Sequence, residues 1–551
     1  MPDTSPQVLS LGRCRVGFAA EPLPILDRCS LLGHSWAGKI GHPGRDTLWA
    51  RALHLAYADE PAGAGGEGVT LVFVDLWSCS LRLWLAALEE SGAGPDSLAI
   101  FGTHTHTGPS RFVGGSFYEV FGAKLQPGNM GYDAAWTRRL AQAIAAAVKE
   151  ARAQAGTVGK ERLLAVVRKP LWDASRNRSL DAFQETPESR SGSWWLPGSP
   201  GESLPQGLGL GDEARAIDPR LDTLVALEKD GKPAGVAGFF GCHATALGPG
   251  CTTFERDWPG VAVDLVESEG LFGALGTSAA GDVTPLRPGN ENGQGQGEAL
   301  RDAVGGKVSV ALLEAVRAAG QAAQELVTSL LPQALALSAA TGLWQPSSGW
   351  EMGLPAMAGA EDGRSGIPRF FAAEGRKHHF LNRADPQSPK ILILGHLQEF
   401  VRDLFELELE AGHPWHRIRL GGHLLQTVPG EPTGVAAHRL AVRLQAVTGA
   451  ATCTLAGYSG DYAGYFTTEE EYCSQQYEGG STLYGRDSLE ALARHLETWA
   501  QRDLSAELAT LAGTLPDYDA ALAIEAADHA RLEDRLVREI AAHPPPASPR
   551  E

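Results

Sequence analysis

Two short apolar runs constrain the fold of this chain more than any other feature. Residues 69–76 (VTLVFVDL) and 98–101 (LAIF) have the length and composition of strands buried on both faces. Between them Ser80 opens an amphipathic stretch through Leu81, Leu85 and Leu88, which Gly92 and Gly94-Pro95 end. Strand, helix and strand in so little chain predict a parallel or mixed sheet with helices laid over it. The expected class is α/β, a large mixed-sheet domain with covering helices.

The same punctuation continues downstream. Asp133 caps a helix beginning AAWTRRLAQAI, and residues 163–167 follow as a strand. Residues 221–227 and 236–240 flank Lys229-Asp230-Gly231-Lys232, a hairpin with Asp-Gly at its turn. Asp257-Trp258-Pro259 marks a helix start, and a weak strand at 271–275 feeds the polar turn TSAAGDVTP at 277–285. A helix is expected over 298–323, strands over 334–340, 423–428 and 451–456, and another helix over 434–446. The glycine-rich residues 289–297 lack the Lys-Ser/Thr of a phosphate loop and read as a plain loop. The loop 184–215 carries Trp194-Trp195, expected to form a lid or an apolar rim. No linker splits the first 500 residues, so the expected division is one domain over 1–500 and a helical extension with a disordered tail over 501–551.

Composition narrows the function. At 551 residues, 43% hydrophobic and 21% charged, the chain can bury a large core. A net charge of -19 argues against nucleic acid or an anionic membrane as the main partner. No apolar run is long enough to span a bilayer. The first residues lack a basic start with a clean apolar stretch, and the seven cysteines are scattered and odd in number. Both features lead to the expectation of a cytoplasmic protein with reduced thiols. Without a CxxC pair, any bound metal must rest on His and carboxylate.

The chemistry-bearing residues sit where strands end. The second run leads into THTHTGP, which presents His104 and His106. In extended backbone, residues two apart share a side, so both imidazoles can face one point. That suits a metal site, a ligand with a general acid–base beside it, or simply a polar turn. VAGFFGCH supplies His243, LLQTVPGE supplies Glu431, and TCTLAGYSGDYAGY supplies Tyr465. Ligands in α/β sheets bind beyond the strand ends, and two His with a carboxylate is the usual frame of a catalytic zinc site. Taken singly, His243 reads equally as a core histidine, Glu431 as a helix cap and Tyr465 as a buried aromatic. His378, His379, His413, His416 and His423 stay open as candidates.

Several motifs then resemble one family. THTHTGP, GDVTP (Gly281 to Pro285) and PGEPT (Pro429 to Thr433) are similar to the THTHSGP, GDVSP and PGEFT of the neutral/alkaline non-lysosomal ceramidases. YAGYFTTEEEYCSQQYEGGSTLYG resembles a long signature of that family, and NRS, CHAT, AEDG and PW match in the family's order between about Gly17 and Gly485. The resemblance implies a zinc hydrolase that cleaves ceramide into sphingosine and a fatty acid. It implies Zn2+ on His104, His243, Glu431 and Tyr465, with His106, Arg178 and Tyr477 acting on substrate beside the metal. It also points to Thr284, where the family has serine at a position implicated in catalysis.

The expected partner is thus a lipid-like N-acyl amide, which leaves room for transient contact with a membrane surface. The expected mechanism has a zinc-activated water attack the amide, with His106 as proton shuttle and Thr284 in a binding or orienting role, since no base is evident beside it. Departures bear on the substrate. Thr284 replaces serine, Leu286 stands where the family has asparagine, and the family's C-terminal immunoglobulin-like domain and secretion signal are not seen in the sequence. The alternatives are an amidase for another N-acyl substrate (an N-acyl amino acid, lipopeptide or natural-product intermediate) and a silent lipid-binding relative.

Overall fold

In the computed structural model the two founding strands, Val69–Val74 and Leu98–Gly102, pair in parallel at one edge of an eight-stranded sheet. The structure describes residues 5–34, 39–58, 68–113, 132–157, 161–190, 195, 212–286, 296–329, 333–367, 371–393, 395, 398, 412–500 and 504–513. Across the sheet the order runs Phe272–Thr277, Pro233–Phe240, Arg220–Leu227, Glu161–Pro170, Gln7–Pro22, Trp49–Ala56, Val69–Val74, Leu98–Gly102. Only the two outermost pairs are parallel; the rest are antiparallel.

Because strand side chains alternate, the sheet feeds two different cores. Val72, Val74, Leu98 and Ile100 turn towards helices Leu81–Ser91 and Ala134–Gly156, meeting Leu83, Trp84, Leu140 and Ile144. Val236 and Phe240 meet helices Asp257–Ser268 and Glu298–Ser329 on the same side. Leu71, Phe73, Ala99, Phe101, Ala237 and Phe239 face the other way, onto a second sheet through Leu337, Ile418, Leu420 and Leu425. That sheet has four strands, Leu337–Trp344, His413–Leu420, His423–Thr427 and Thr452–Ala456. Its outer face takes helices Gly434–Thr448 and Ser488–Thr498 through Leu440, Leu444, Leu492 and Leu496. The layers are therefore helix, sheet, sheet, helix.

The mixed α/β class expected from sequence is what the chain adopts. Ser80 caps its helix by accepting from the Leu83 N–H, and Gly92 closes it in the left-handed region. Asp133 caps the next helix through the Trp136 N–H. Some expectations need correcting. The strand expected at 334–340 is Leu337–Trp344, and part of the expected loop 184–215 forms short helical turns at Pro187–Arg190 and Asp212–Arg215. Trp195 is buried against Trp172, Phe183, Val283 and Val435 rather than set on a rim, while Trp194 and residues 287–295 lie outside the described residues. Leu504 and Leu508 are buried in the core that helices Leu81–Ser91 and Ala134–Gly156 share, and residues 514–551 lie outside the described residues. Among the described residues no helix is long and apolar enough to cross a membrane.

Candidate metal centre and active site

Three short pairings at the strand ends assemble the site. An isolated parallel bridge, Thr105 to Ala244, sets the His104–His106 segment beside His243. Glu431–Pro432 and Tyr465–Phe466 pair in parallel with Glu431 opposite Tyr465, so the two side chains share a side. Val283–Pro285 pairs antiparallel with Ser175–Asn177, which sets Thr284 opposite Arg176 and carries the chain on to Arg178. Arg178 is locked there by its N–H to the Asp282 carbonyl, 2.8 Å.

His104 and His106 converge, but not through the extended backbone expected. His104 has φ of 61°, a left-handed conformation uncommon outside glycine, and His106 lies in the turn that follows. The strain is held by the His104 N–H to the Leu76 carbonyl (3.1 Å) and the His106 N–H to Ala244 (3.3 Å). Behind His106 stands Gly33 at φ +112°; a Cβ there would lie 2.6 Å from the His106 ring, so only glycine fits.

Nitrogen atoms of His104, His106 and His243 lie within 4.8 Å of one another, all buried. Their far sides distinguish them. His104 Nδ1 bonds the Trp77 carbonyl at 2.7 Å, and His243 Nδ1 bonds the Val283 carbonyl at 3.0 Å. Such a bond fixes Nδ1 as the protonated nitrogen and leaves the Nε2 lone pair for a metal. Both Nε2 atoms look onto Glu431, 3.7 Å from His104 and 3.1 Å from His243. His243 Nε2 is buried without a well-aligned hydrogen-bond partner. Tyr462 and Tyr458 (3.3 Å) donate to the two Glu431 oxygens and orient the carboxylate. Burial would raise the Glu431 pKa, but His104, His243 and Tyr462 together hold it at about 2. Burial pushes His104 down to about 3 against the pull of Glu431. Two imidazoles anchored through Nδ1 and a carboxylate, with the His243 Nε2 left unpartnered among the described residues, form a donor set that fits a zinc ion.

His106 is built differently. Its Nε2 is 3.1 Å from His104 Nε2, but its Nδ1 has no partner among the described residues. The ring of His34, itself buried with Nε2 unpartnered, meets it edge-on at 4.8 Å. Tyr465, expected as a ligand, takes its hydrogen bond from Arg178 Nη2 (3.0 Å), and burial together with Glu431 pushes its phenol well up. Tyr477 crosses Tyr465 edge-on at 5.6 Å, with the Arg178 guanidinium over its ring at 5.4 Å.

Arg178 is nearly fully engaged. Nε donates to Glu478 (3.0 Å), Nη1 to Asp362 (3.0 Å), and Nη2 to the Gly281 carbonyl (2.7 Å) and Tyr465. Among the described residues one Nη1 hydrogen is left over. Thr284, expected to have no base beside it, does have a carboxylate neighbour: its hydroxyl donates to Asp362 at 2.9 Å. Burial would raise Asp362, but Arg178, His243 and two threonine hydroxyls hold it well below the carboxylate range. A carboxylate so stabilised in its charged form is a poor base, which keeps Thr284 in an orienting role.

The remaining histidine candidates are engaged with other partners. His413 joins Asp461 and Tyr484, His416 joins Thr341, and His423 joins Thr452 and Thr454, while His378 and His379 are exposed. Sequence reasoning missed His34, and it quoted Tyr458, Tyr462, Glu478 and Asp362 only as parts of motifs. The two tyrosines were within reach, because they share the turn YSGDYAGY with Tyr465.

Comparison with known proteins finds similarity to the same family that the motifs resemble. The family model described as neutral/alkaline non-lysosomal ceramidase, N-terminal, matches residues 384–494. A neutral ceramidase of Mycobacterium tuberculosis is 26% identical over 76% of this chain and 65% of its own length. That of Pseudomonas aeruginosa is 26% identical over 79% of this chain and 64% of its own. The chain thus spans a little under two thirds of these relatives. Among solved structures, a ceramidase complexed with C2 superimposes with a TM-score of 0.64 at 20% identity, over 90% of this chain and 78% of that one. The crystal structure of the Pseudomonas aeruginosa neutral ceramidase gives 0.63 at 19%. By its motifs and these relatives the chain is similar to the neutral/alkaline non-lysosomal ceramidases, and it shares the fold of their solved structures.

Proposed function

We propose that this chain hydrolyses the amide bond of ceramide or a ceramide-like N-acyl lipid, with zinc held by His104, His243, Glu431 and Tyr465. The observation that carries the reading is the pair of buried, carbonyl-anchored imidazoles facing a buried Glu431. Zinc in that cage would supply Lewis-acid chemistry, polarising a carbonyl and acidifying a water.

The chain's own residues supply the rest. His106, with no carbonyl fixing its tautomer, takes a proton from the attacking water and returns it to the leaving nitrogen. Amide nitrogen departs only when protonated, so the return step is as important as the first. Arg178 offers its remaining Nη1 hydrogen, and Tyr477 its hydroxyl, to the charge that develops on the carbonyl oxygen. Glu478, Asp362 and the Gly281 carbonyl hold the guanidinium still, so little reorganisation is needed when that charge appears.

A second reading within the same chemistry, an amidase for a non-ceramide N-acyl substrate, draws support from Leu286. It is half-buried two residues from Thr284, an apolar side chain where the family carries asparagine. The test for both is incubation of purified, zinc-supplemented protein with a panel of ceramides, N-acyl amino acids and lipopeptides, with products identified by mass. Release of fatty acid and sphingosine supports the first reading. Cleavage confined to other amides selects the second, and no cleavage of any amide contradicts both.

A further inference from the structure

Asp362 holds Arg178, but its bonds to two threonine hydroxyls have no part in the proposed chemistry. It arrives on the turn Glu361–Gly363 and is buried. One carboxylate oxygen accepts Arg178 Nη1 at 3.0 Å. The other accepts two hydroxyls, Thr245 at 2.6 Å and Thr284 at 2.9 Å. Gln296 Nε2 binds the backbone carbonyls of Asp362 (2.8 Å) and Thr245 (3.2 Å), holding the two segments together.

The hydrogen inventory has a consequence for Thr284. An ionised carboxylate only accepts, so both threonine protons are committed to Asp362. The two hydroxyl oxygens lie 3.3 Å apart, and with both protons on the carboxylate neither donates to the other. What Thr284 has left is a lone pair. Its backbone is pinned opposite Arg176, and a β-branched side chain has few rotamers to change.

We propose that Asp362 is a positioning residue that fixes the Thr284 hydroxyl as a hydrogen-bond acceptor, to which the substrate presents an N–H or O–H donor. The inference rests on the amide-hydrolase reading of the site. It makes the site selective for substrates with a donor next to the scissile carbonyl, either the amide N–H itself or a neighbouring hydroxyl.

The test compares kcat/KM of wild type, Thr284→Ser, Thr284→Val, Asp362→Asn and the double variant Asp362→Asn/Thr284→Val. Three substrates are used: a hydroxyl-bearing secondary N-acyl amide, its N-methyl counterpart, and a secondary amide with no hydroxyl. Wild type and Thr284→Ser should prefer a donor-bearing substrate by at least about tenfold over its donor-free counterpart. The N-methyl and hydroxyl-free arms show which donor is read. Thr284→Val and Asp362→Asn should each reduce that preference to about threefold or less, and the double variant should fall no more than about threefold below Asp362→Asn. A preference ratio does not move with a merely structural loss. Asp362→Asn that keeps the wild-type preference, or a double variant whose loss is the product of the singles, overturns the proposal. Should Asp362→Asn fail to fold, neutron diffraction of the wild type decides. A deuteron on Thr284 Oγ directed at Asp362 is expected, and one directed elsewhere overturns the assignment. A wild type that cleaves no amide defeats the hydrolase reading alone, because the neutron result still decides the positioning.

Discussion

At the residue scale, the two histidines of THTHTGP differ in what lies behind them, and the roles proposed for them follow from that difference. His104 is held by the Trp77 carbonyl and presents Nε2 to Glu431, whereas His106 has only an imidazole edge and a glycine at its back. A ring whose Nδ1 has no partner among the described residues is suited to accept and release a proton there, and a ring anchored by a carbonyl is suited to bind a metal. His106→Ala should therefore retain zinc and lose roughly 10²–10⁴-fold in kcat, the usual contribution of a general acid–base. Metal analysis alongside turnover checks this, and loss of the zinc in that variant would make His106 a ligand. The sequence made the pair visible but not its backbone. Nothing in THTHTGP announces that His104 adopts φ of 61°, because that strain is imposed by the bridge to Ala244 and the bond to Leu76, both remote in sequence.

At the scale of elements, close approach decides what the sheets tolerate. Helix Ala134–Gly156 crosses strand Gln7–Pro22 at Gly17, where a Cβ would stand 2.0 Å from the Ala151 carbonyl oxygen. Backbone cannot give way as a side chain can, so Gly17→Ala should destabilise the protein by about 1–3 kcal/mol, read as a lowered urea midpoint with unchanged slope. Lys390 ties the turn Leu354–Ala358 region to helix Tyr477–Ser481 by donating to the carbonyls of Glu351 (2.9 Å) and Thr482 (2.7 Å). Burial pushes its ammonium down from 10.5 to about 7. Between those values the unfolded chain binds the extra proton, so this group makes stability rise as pH rises from about 7 to 10.5. Lys390→Met should flatten that part of the pH–stability profile. An unchanged slope in the variant would show that the ammonium is not desolvated as described. The elements themselves were readable where apolar alternation is clean, as in 69–74 and 236–240. Strand Gln7–Pro22 was not, because Ser10, Gly12, Arg13 and Arg15 interrupt its apolar positions, and Arg13 spends its charge on Glu161.

At the scale of the whole molecule, the site is a meeting of ends. Strands Leu98–Gly102 and Pro233–Phe240 of the large sheet deliver His104 and His243, and the loop after His423–Thr427 of the small sheet delivers Glu431. The proposed ligands could be singled out in the sequence because each follows a buried strand and matches a family motif. Their support could not, since Trp77, Val283, Tyr458 and Tyr462 act through position rather than through a motif of their own. Both sheets must be in place before the three donors face one another, so metal binding reports on the assembled fold. The most direct measurement is elemental analysis of the purified, dialysed protein beside His104→Ala and His243→Ala. The account predicts about one zinc per chain in the wild type and loss of most of it in both variants, with the fold retained by circular dichroism. Full zinc occupancy in a folded His104→Ala would contradict it.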